Sequence, residues 1–368
     1  MNLKSLSLVN FRNYEKEQIE FTPGIHVIVG KNGQGKTNLL ESIYYLSCTK
    51  SHRMKDDRGL IYHHSTFFNI SACIEKQGKE IEIRCNLNES GKNLFLYRNP
   101  IKKVSDFIGF FNAVMFYPDD MNLFSSTPKR RRQFVDLELG KLSKTYTKTL
   151  NEYYHILKER NSYLKQDKID EIFLDILDEQ LIVLQLKIVK QRIKFMDDIL
   201  NKSKNFYLKL SGINNKITYH YSSDIDFNED VEVMKQQLLS KYKKNRKRDL
   251  YFKTTSIGIH RDDYLFYMNE KEVNTFASQG QKRVILLSLK LGIVYTIYEI
   301  TKEYPVLLLD DVFSELDKER RCMLLELLPK EIQIFISTTD IIQIENSSNI
   351  HYWNIDNGMV KQMRRNIE

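Results

Sequence analysis

Eight consecutive residues, Gly30-Lys31-Asn32-Gly33-Gln34-Gly35-Lys36-Thr37, satisfy every fixed position of the pattern G-x-x-x-x-G-K-[ST]. The chemistry such a stretch suits is phosphate binding; the plain reading is an accidental glycine-rich turn. Glycines 30, 33 and 35 let the backbone turn tightly and aim its N–H groups at phosphate oxygens, at the positive end of a helix starting near Lys36. Lys36 then reaches the β- and γ-phosphates of ATP, and the Thr37 hydroxyl ligates Mg²⁺.

A second group lies far along the chain. Val306-Leu307-Leu308-Leu309-Asp310-Asp311 reads as a buried strand of parallel type ending in two carboxylates. Such a pair needs a partner to offset desolvation: a Mg²⁺-nucleotide is the functional reading, a helix N-cap after a core strand the plain one. On the first reading Asp310 holds the metal and Asp311 polarises the attacking water, so Asp311 and Lys36 are the catalytic candidates. Ser278-Gln279-Gly280-Gln281 opens an apolar helix and offers another anion-binding end, a weak signal alone. Ser337-Thr338-Thr339-Asp340 ends a later strand, where its hydroxyls either sense a γ-phosphate or cap the next helix. Arg12, in the turn Phe11-Arg12-Asn13-Tyr14, is either a guanidinium for the nucleotide or part of a surface turn.

Periodicity indicates what must hold these residues in place. Gly24 to Val29 reads as a strand entering the phosphate loop, and Asn38 to Leu46 has the apolar spacing of a helix packed on a sheet. Residues 2–29 alternate as β-structure, and residues 66–98 form an antiparallel meander laid against the nucleotide lobe. From Lys129 to Tyr304 there is no proline, and Ile169, Ile172, Phe173, Ile176, Leu177, Leu181, Leu184, Ile188 and Leu200 recur at helical intervals. That pattern is too brief for a long coiled coil and suits a compact helical arm. After residue 250 the sheet pattern returns, with His260-Arg261-Asp262-Asp263 as a hydrogen-bonded turn. The expected division is an α/β head from residues 1–115 and 250–368, with a helical arm lobe at 116–249.

At 368 residues the chain exceeds one ordinary core, which agrees with two lobes. Its net charge of +8 makes an acidic partner such as nucleic acid plausible. Two basic clusters, Lys129 to Arg132 and Lys241 to Arg248, either neutralise a phosphate backbone or form solvated helix faces; Arg130, Arg131, Lys243, Lys244 and Arg246 are the candidate DNA contacts. Four scattered cysteines without a C-x-x-C pair suggest a reduced intracellular protein lacking structural zinc. The N-terminus has no signal-peptide profile, and no apolar run approaches the roughly 18 residues of a membrane span, so secretion and membrane insertion are not expected.

In their order, the phosphate loop, S-x-G-Q, LLLDD and SELD resemble an ABC-type ATPase head. FRNY at 11–14, SHR at 51–53, YPDD at 117–120, RRRQFVD at 130–136, GIHRDD at 258–263 and LLLDDVFSELD at 307–317 narrow this resemblance to the RecF family of bacterial recombination mediators. The resemblance implies an ABC-type P-loop head of mixed sheet and antiparallel meander, with an inserted helical arm, located in the cytoplasm. It further implies an ATP-dependent homodimer that binds DNA near single-strand gaps and cooperates with RecO and RecR in loading RecA. By it, Ser278, Gln279, Gly280 and Gln281 close on the other protomer's ATP, Asp310 meets the metal and Asp311 is the hydrolytic carboxylate. ABC heads generally carry Glu at that last position and a histidine after the final strand; Asp311 and Ser337-Thr338-Thr339 here imply slow hydrolysis. Gly258-Ile259-His260 also lacks the proline usual in the family's turn. The rivals are the energy-coupling subunit of a membrane transporter, which lacks a basic arm, and a short-armed structural-maintenance protein, which needs sustained heptads.

Overall fold

The computed structural model describes residues 1–225, 227, 230–341, 344 and 349–363. The chain opens with a hairpin of β1 (Asn2–Phe11) and β2 (Tyr14–Glu20), then runs through β3 (Ile25–Val29) into helix α1 (Lys36–Cys48). Next come β4 (Phe68–Lys76), β5 (Lys79–Asn88), β6 (Gly91–Leu96), β7 (Asn99–Ile101), the short α2 (Val104–Phe107) and β8 (Ala113–Phe116). Helices α3 (Pro128–Leu142), α4 (Lys144–Tyr163) and α5 (Glu171–Ser211) precede β9 (Ile217–Ser222) and α6 (Val231–Phe252). The remainder is β10 (Asp263–Met268), β11 (Lys271–Glu272), α7 (Val273–Phe276), α8 (Gln279–Thr301), β12 (Val306–Asp310), α9 (Lys318–Glu326), β13 (Ile334–Thr338), β14 (Ile350–Asp356) and β15 (Met359–Met363).

Two compact units divide these elements: residues 1–120, 202–214 and 283–368 in one, 121–201 and 215–282 in the other. The first holds two six-stranded sheets. One is antiparallel, in the order β2-β1-β4-β5-β6-β7; β4 alternates Phe68, Ile70, Ala72 and Ile74 inward, the mark of a sheet buried on one face. The other, β15-β14-β3-β13-β12-β8, is parallel except for its β15 edge. Strands β12 and β13 are buried along their length, which accounts for unbroken apolar runs such as Val306 to Leu309. Helix α1 touches β8, β12 and β13 of this sheet and β1 and β5 of the antiparallel one, so it is buried nearly all round.

The second unit holds α3, α4, most of α5, α6 and a three-stranded antiparallel sheet, β11-β10-β9. The expected boundary at residue 250 therefore moves. Residues 250–282 join this unit because β10 pairs along its whole length with β9, from Asp263↔Ser222 to Met268↔Ile217. The six residues of β9 are too short a run to stand out between two helices. Helix α5 is 41 residues long, about 60 Å at 1.5 Å per residue. Its buried stripe runs through Leu174, Leu177, Leu181, Ile182, Ile188 and Val189, whereas Ile172 and Ile176 are exposed.

Buried polar pairs tie the second unit together. Arg160 reaches Asp178 at 2.6 Å and Asp249 at 2.9 Å, and Arg192 grips Asp136 at 2.9 and 2.8 Å. His260 bridges Tyr153 and the Thr255 carbonyl, and burial lowers its pKa to about 4, so it is a neutral structural group.

One helix, α8, is long and apolar enough to cross a membrane, contrary to the expectation that no run would qualify; 72% of its most apolar window is buried. Lys290 within it donates to the Met115 carbonyl and pairs with Asp120 at 3.1 Å.

Candidate nucleotide site

Three adjacent parallel strands, β3, β13 and β12, end together, with Ser337 paired to Asp310 on one side and to Ile28 on the other. Carboxyl ends of parallel strands are where open α/β sheets bind ligands. The Gly30–Thr37 loop leaves β3 there and passes into α1. Gly35, at φ 121, stands at the helix N-cap, and a Cβ on it would meet Asn13 Nδ2 at 2.5 Å. A Cβ on Gly30 would strike the Ile355 carbonyl oxygen at 2.5 Å, so that position is closed to any larger residue. Gly33, at φ +82, has nothing within 4 Å on its open side, leaving room for a phosphate.

Lys36 Nζ donates to the loop's own carbonyls, Gly30 at 2.5 Å and Lys31 at 3.0 Å. Burial lowers its pKa, while Asp311 and Asp310 oppose that shift. Thr37 Oγ1 donates to Asp310 Oδ1 at 3.0 Å. Asp310 is almost fully buried, and burial raises its pKa against the hydrogen bonds from Ser337 and Thr37. No cluster of three or more His, Cys, Asp or Glu that could hold a metal occurs among the described residues. Mg²⁺ bound to a nucleotide needs no such cage, only one or two protein oxygens alongside phosphates and water. Thr37 and Asp310 fit that requirement, and a cation would relieve the buried carboxylate. Asp311 takes a left-handed backbone, φ 54, and its Oδ1 is buried with no hydrogen-bond partner.

Several positioning residues escape sequence reasoning. Asn13 Nδ2 donates to the Gln34 carbonyl at 2.8 Å, Tyr14 O–H to the Gly35 carbonyl at 3.0 Å, and Asn38 Nδ2 to Asn13 Oδ1 at 2.8 Å. On the other flank Asn357 N–H donates to Gln34 Oε1 at 2.6 Å and Gly358 N–H to the Gln34 carbonyl at 3.1 Å. Glu41, fully buried on α1, receives Arg12 through two donors at 2.8 and 3.1 Å, and Ser51 at 2.5 Å. Arg12 thus differs from the expected nucleotide contact: its fork is engaged by Glu41, and Asn13 beside it meets the loop. Glu41 had one signal: it is the only acid in α1. Ser337 was expected to sense phosphate or cap a helix; buried, it bonds both Asp310 and the Asp311 N–H instead.

Ser278 to Gln281 belong to the second unit. Ser278 Oγ accepts from the Gln281 N–H at 3.2 Å and Gln281 Oε1 accepts from the Ser278 N–H at 2.8 Å, a reciprocal cap at the start of α8. Gln279 and Gly280 are exposed, with nothing near a Cβ on Gly280.

The DNA candidates separate by burial. Arg130, Lys243 and Lys244 are exposed. Arg131 and Arg246 are corrected to structural cations: Arg131 holds Asp263 through two 2.7 Å bonds, and Arg246 holds Asp175 at 2.5 Å and Asp178 at 2.8 Å. Arg132 also donates to the Asp262 carbonyl, so the RRRQFVD and GIHRDD motifs meet each other.

A phosphate loop at the mouth of a parallel sheet, backed by an antiparallel one, defines an ABC-type head, and residues 2–361 match the RecF/RecN/SMC N-terminal domain family. An Smc head domain bound to the winged-helix domain of ScpA shares this fold at TM-score 0.54, 16% identity and coverage of 99% of this chain and 98% of that one. The chain belongs to the RecF family. It is 41% identical over 363 residues to the DNA replication and repair protein RecF of Streptococcus gordonii, covering 98% of this chain and 100% of that one. It is 40% identical over 348 residues to RecF of Lactobacillus johnsonii, covering 93% of each. The solved structure of the recombination mediator protein RecF with ATP, in the RecFOR pathway, matches at TM-score 0.91 and 31% identity, across 98% of this chain and 97% of that one.

Proposed function

We propose that this chain is an ATP-operated DNA replication and repair protein that works as a homodimer in the cytoplasm. Each subunit binds ATP on Gly30 to Thr37 and closes on its twin's nucleotide with Ser278 to Gln281. The observation that carries this reading is the 3.0 Å contact of Thr37 with Asp310 beside the loop, a metal-and-phosphate arrangement. Mg²⁺ held there would neutralise charge on the phosphate oxygens. Lys36 exchanges loop carbonyls for β- and γ-phosphate oxygens, and Asp311, with its free Oδ1, orients the attacking water. An aspartate holds that water less closely than a glutamate, and the end of β13 carries the hydroxyls of Ser337 to Thr339 in place of an imidazole, so hydrolysis is slow and serves to reset the dimer. DNA near single-strand gaps is the partner, with RecO and RecR cooperating to load RecA; the relatives' names and the exposed Arg130, Lys243 and Lys244 support the DNA part.

The test is gel filtration with light scattering on a gapped duplex, with and without ATP. Lys36→Met loses ATP binding and stays monomeric, while Asp311→Asn co-elutes with DNA as a lasting dimer. A monomeric Asp311→Asn at saturating ATP rules the reading out.

A further inference from the structure

Helix α6 carries a second feature that the nucleotide site does not use. Lys243, Lys247 and Tyr251 form one row and Lys244, Arg248 and Phe252 the next, each at four-residue steps, so both rows lie on one side of the helix. All six are exposed, and Tyr251, at 81%, is the most exposed large hydrophobic residue described. Phe252 is 62% exposed, and its ring stands at 88° to that of Tyr251 with centroids 5.0 Å apart. The four cations enter no ion pair among the described residues. Between Val233 and Lys253 the only acid is Asp249, which is buried against Arg160. The opposite side of α6, with Met234, Leu238 and Tyr242, is buried.

We infer that this face binds single-stranded DNA, with phosphates along the cationic rows and unstacked bases on the two rings. Cations alone would suit any polyanion. Two bare aromatic rings where the rows end select a strand whose base faces are free, because a duplex keeps those faces stacked inside. The inference rests on the nucleic-acid reading above and names the form of DNA this face takes.

Fluorescence anisotropy of the full chain with a labelled oligothymidine and with a duplex tests it. Tyr251→Ala/Phe252→Ala weakens oligothymidine binding about tenfold or more, with duplex binding held within about twofold. Tyr251→Trp/Phe252→Trp restores it. Replacing the four cations by alanine lowers the salt slope for oligothymidine by about 3. Equal losses on both DNAs from the ring variant, no loss on either, or equal competition by polyglutamate overturns the inference while leaving the DNA reading intact. Wild-type protein that binds neither DNA overturns both. The replaced side chains are exposed, so unchanged thermal melting verifies that the variants fold.

Discussion

Ser337 Oγ donates to Asp310 Oδ1 at 2.6 Å and accepts the Asp311 N–H at 2.9 Å. One hydroxyl therefore fixes both carboxylates at the end of β12, one through its side chain and one through its backbone. Support of this kind around a metal ligand is worth about 10- to 100-fold in metal affinity or activity.

Ser337→Ala should accordingly raise the Mg²⁺ concentration needed for half-maximal ATP hydrolysis by about tenfold or more, with ATP affinity little changed. A magnesium titration of the ATPase rate measures this. An unchanged midpoint would mean that Ser337 merely fills space.

Behind the loop, the buried Glu41 and the partly buried Arg12 form a bidentate pair, and Ser51 adds a third donor to the same carboxylate. Removing the cation leaves a carboxylate in the core. Arg12→Ala should therefore destabilise the fold by about 3 kcal/mol, and adding Glu41→Leu should recover much of that loss, since deleting both charges removes the desolvation penalty. Urea denaturation of the two single variants and the double variant gives the coupling. Strict additivity would show that the pair is not energetically joined.

Three imidazoles make the fold acid-sensitive. Burial lowers the pKa values of His26, His52 and His260 from 6.5 to about 4. His26 accepts from Trp353 Nε1–H at 3.0 Å, which leaves its other nitrogen to donate to the Thr22 carbonyl at 2.7 Å. Between the two pKa values the unfolded chain binds a proton that the fold refuses. Each group's stabilisation is complete above about pH 6.5 and lost as pH falls toward 4, up to about 3 kcal/mol apiece. Asp262 acts in the opposite sense: burial raises its pKa to about 6, so the fold holds its proton longer than the unfolded chain does. Asp310 and Glu17, also raised by burial, act with Asp262, but the three imidazoles begin to titrate at higher pH and should leave stability falling from about pH 7 to about pH 5. His52→Phe, keeping the ring against Tyr117, should reduce the proton uptake on unfolding by about one. Denaturation midpoints that do not move with pH would refute this.

Sequence made the strand ends legible because consecutive residues build them: Ile25 to Val29 form the strand that enters the Gly30–Thr37 loop, and Val306 to Asp310 form a buried strand whose end carries the two carboxylates. Long-range partners were not legible. Arg12 with Glu41, Asn13 with Gln34 and Ser337 with Asp310 are set by strand register and loop closure, which local periodicity does not encode. The same holds for β9, whose partner lies beyond α6, and for runs of basic residues, where helix phase alone separates a buried cation from an exposed one.

That last distinction gives a paired prediction on α3. Arg130 and Arg131 are neighbours in sequence, yet one is exposed and the other is clamped to Asp263 by two 2.7 Å bonds. If DNA runs along this helix, Arg130→Ala should lower the slope of log affinity against log salt by about 0.9, the value for one duplex phosphate contact, at unchanged stability. Arg131→Ala should do the reverse. It leaves Asp263 uncompensated and weakens the fold by about 3 kcal/mol, discounted toward 2 for the partial exposure of the pair, while the salt slope holds. Denaturation curves and salt-dependent DNA titrations on both variants separate the roles. A lowered salt slope in stably folded Arg131→Ala would return that residue to the DNA surface.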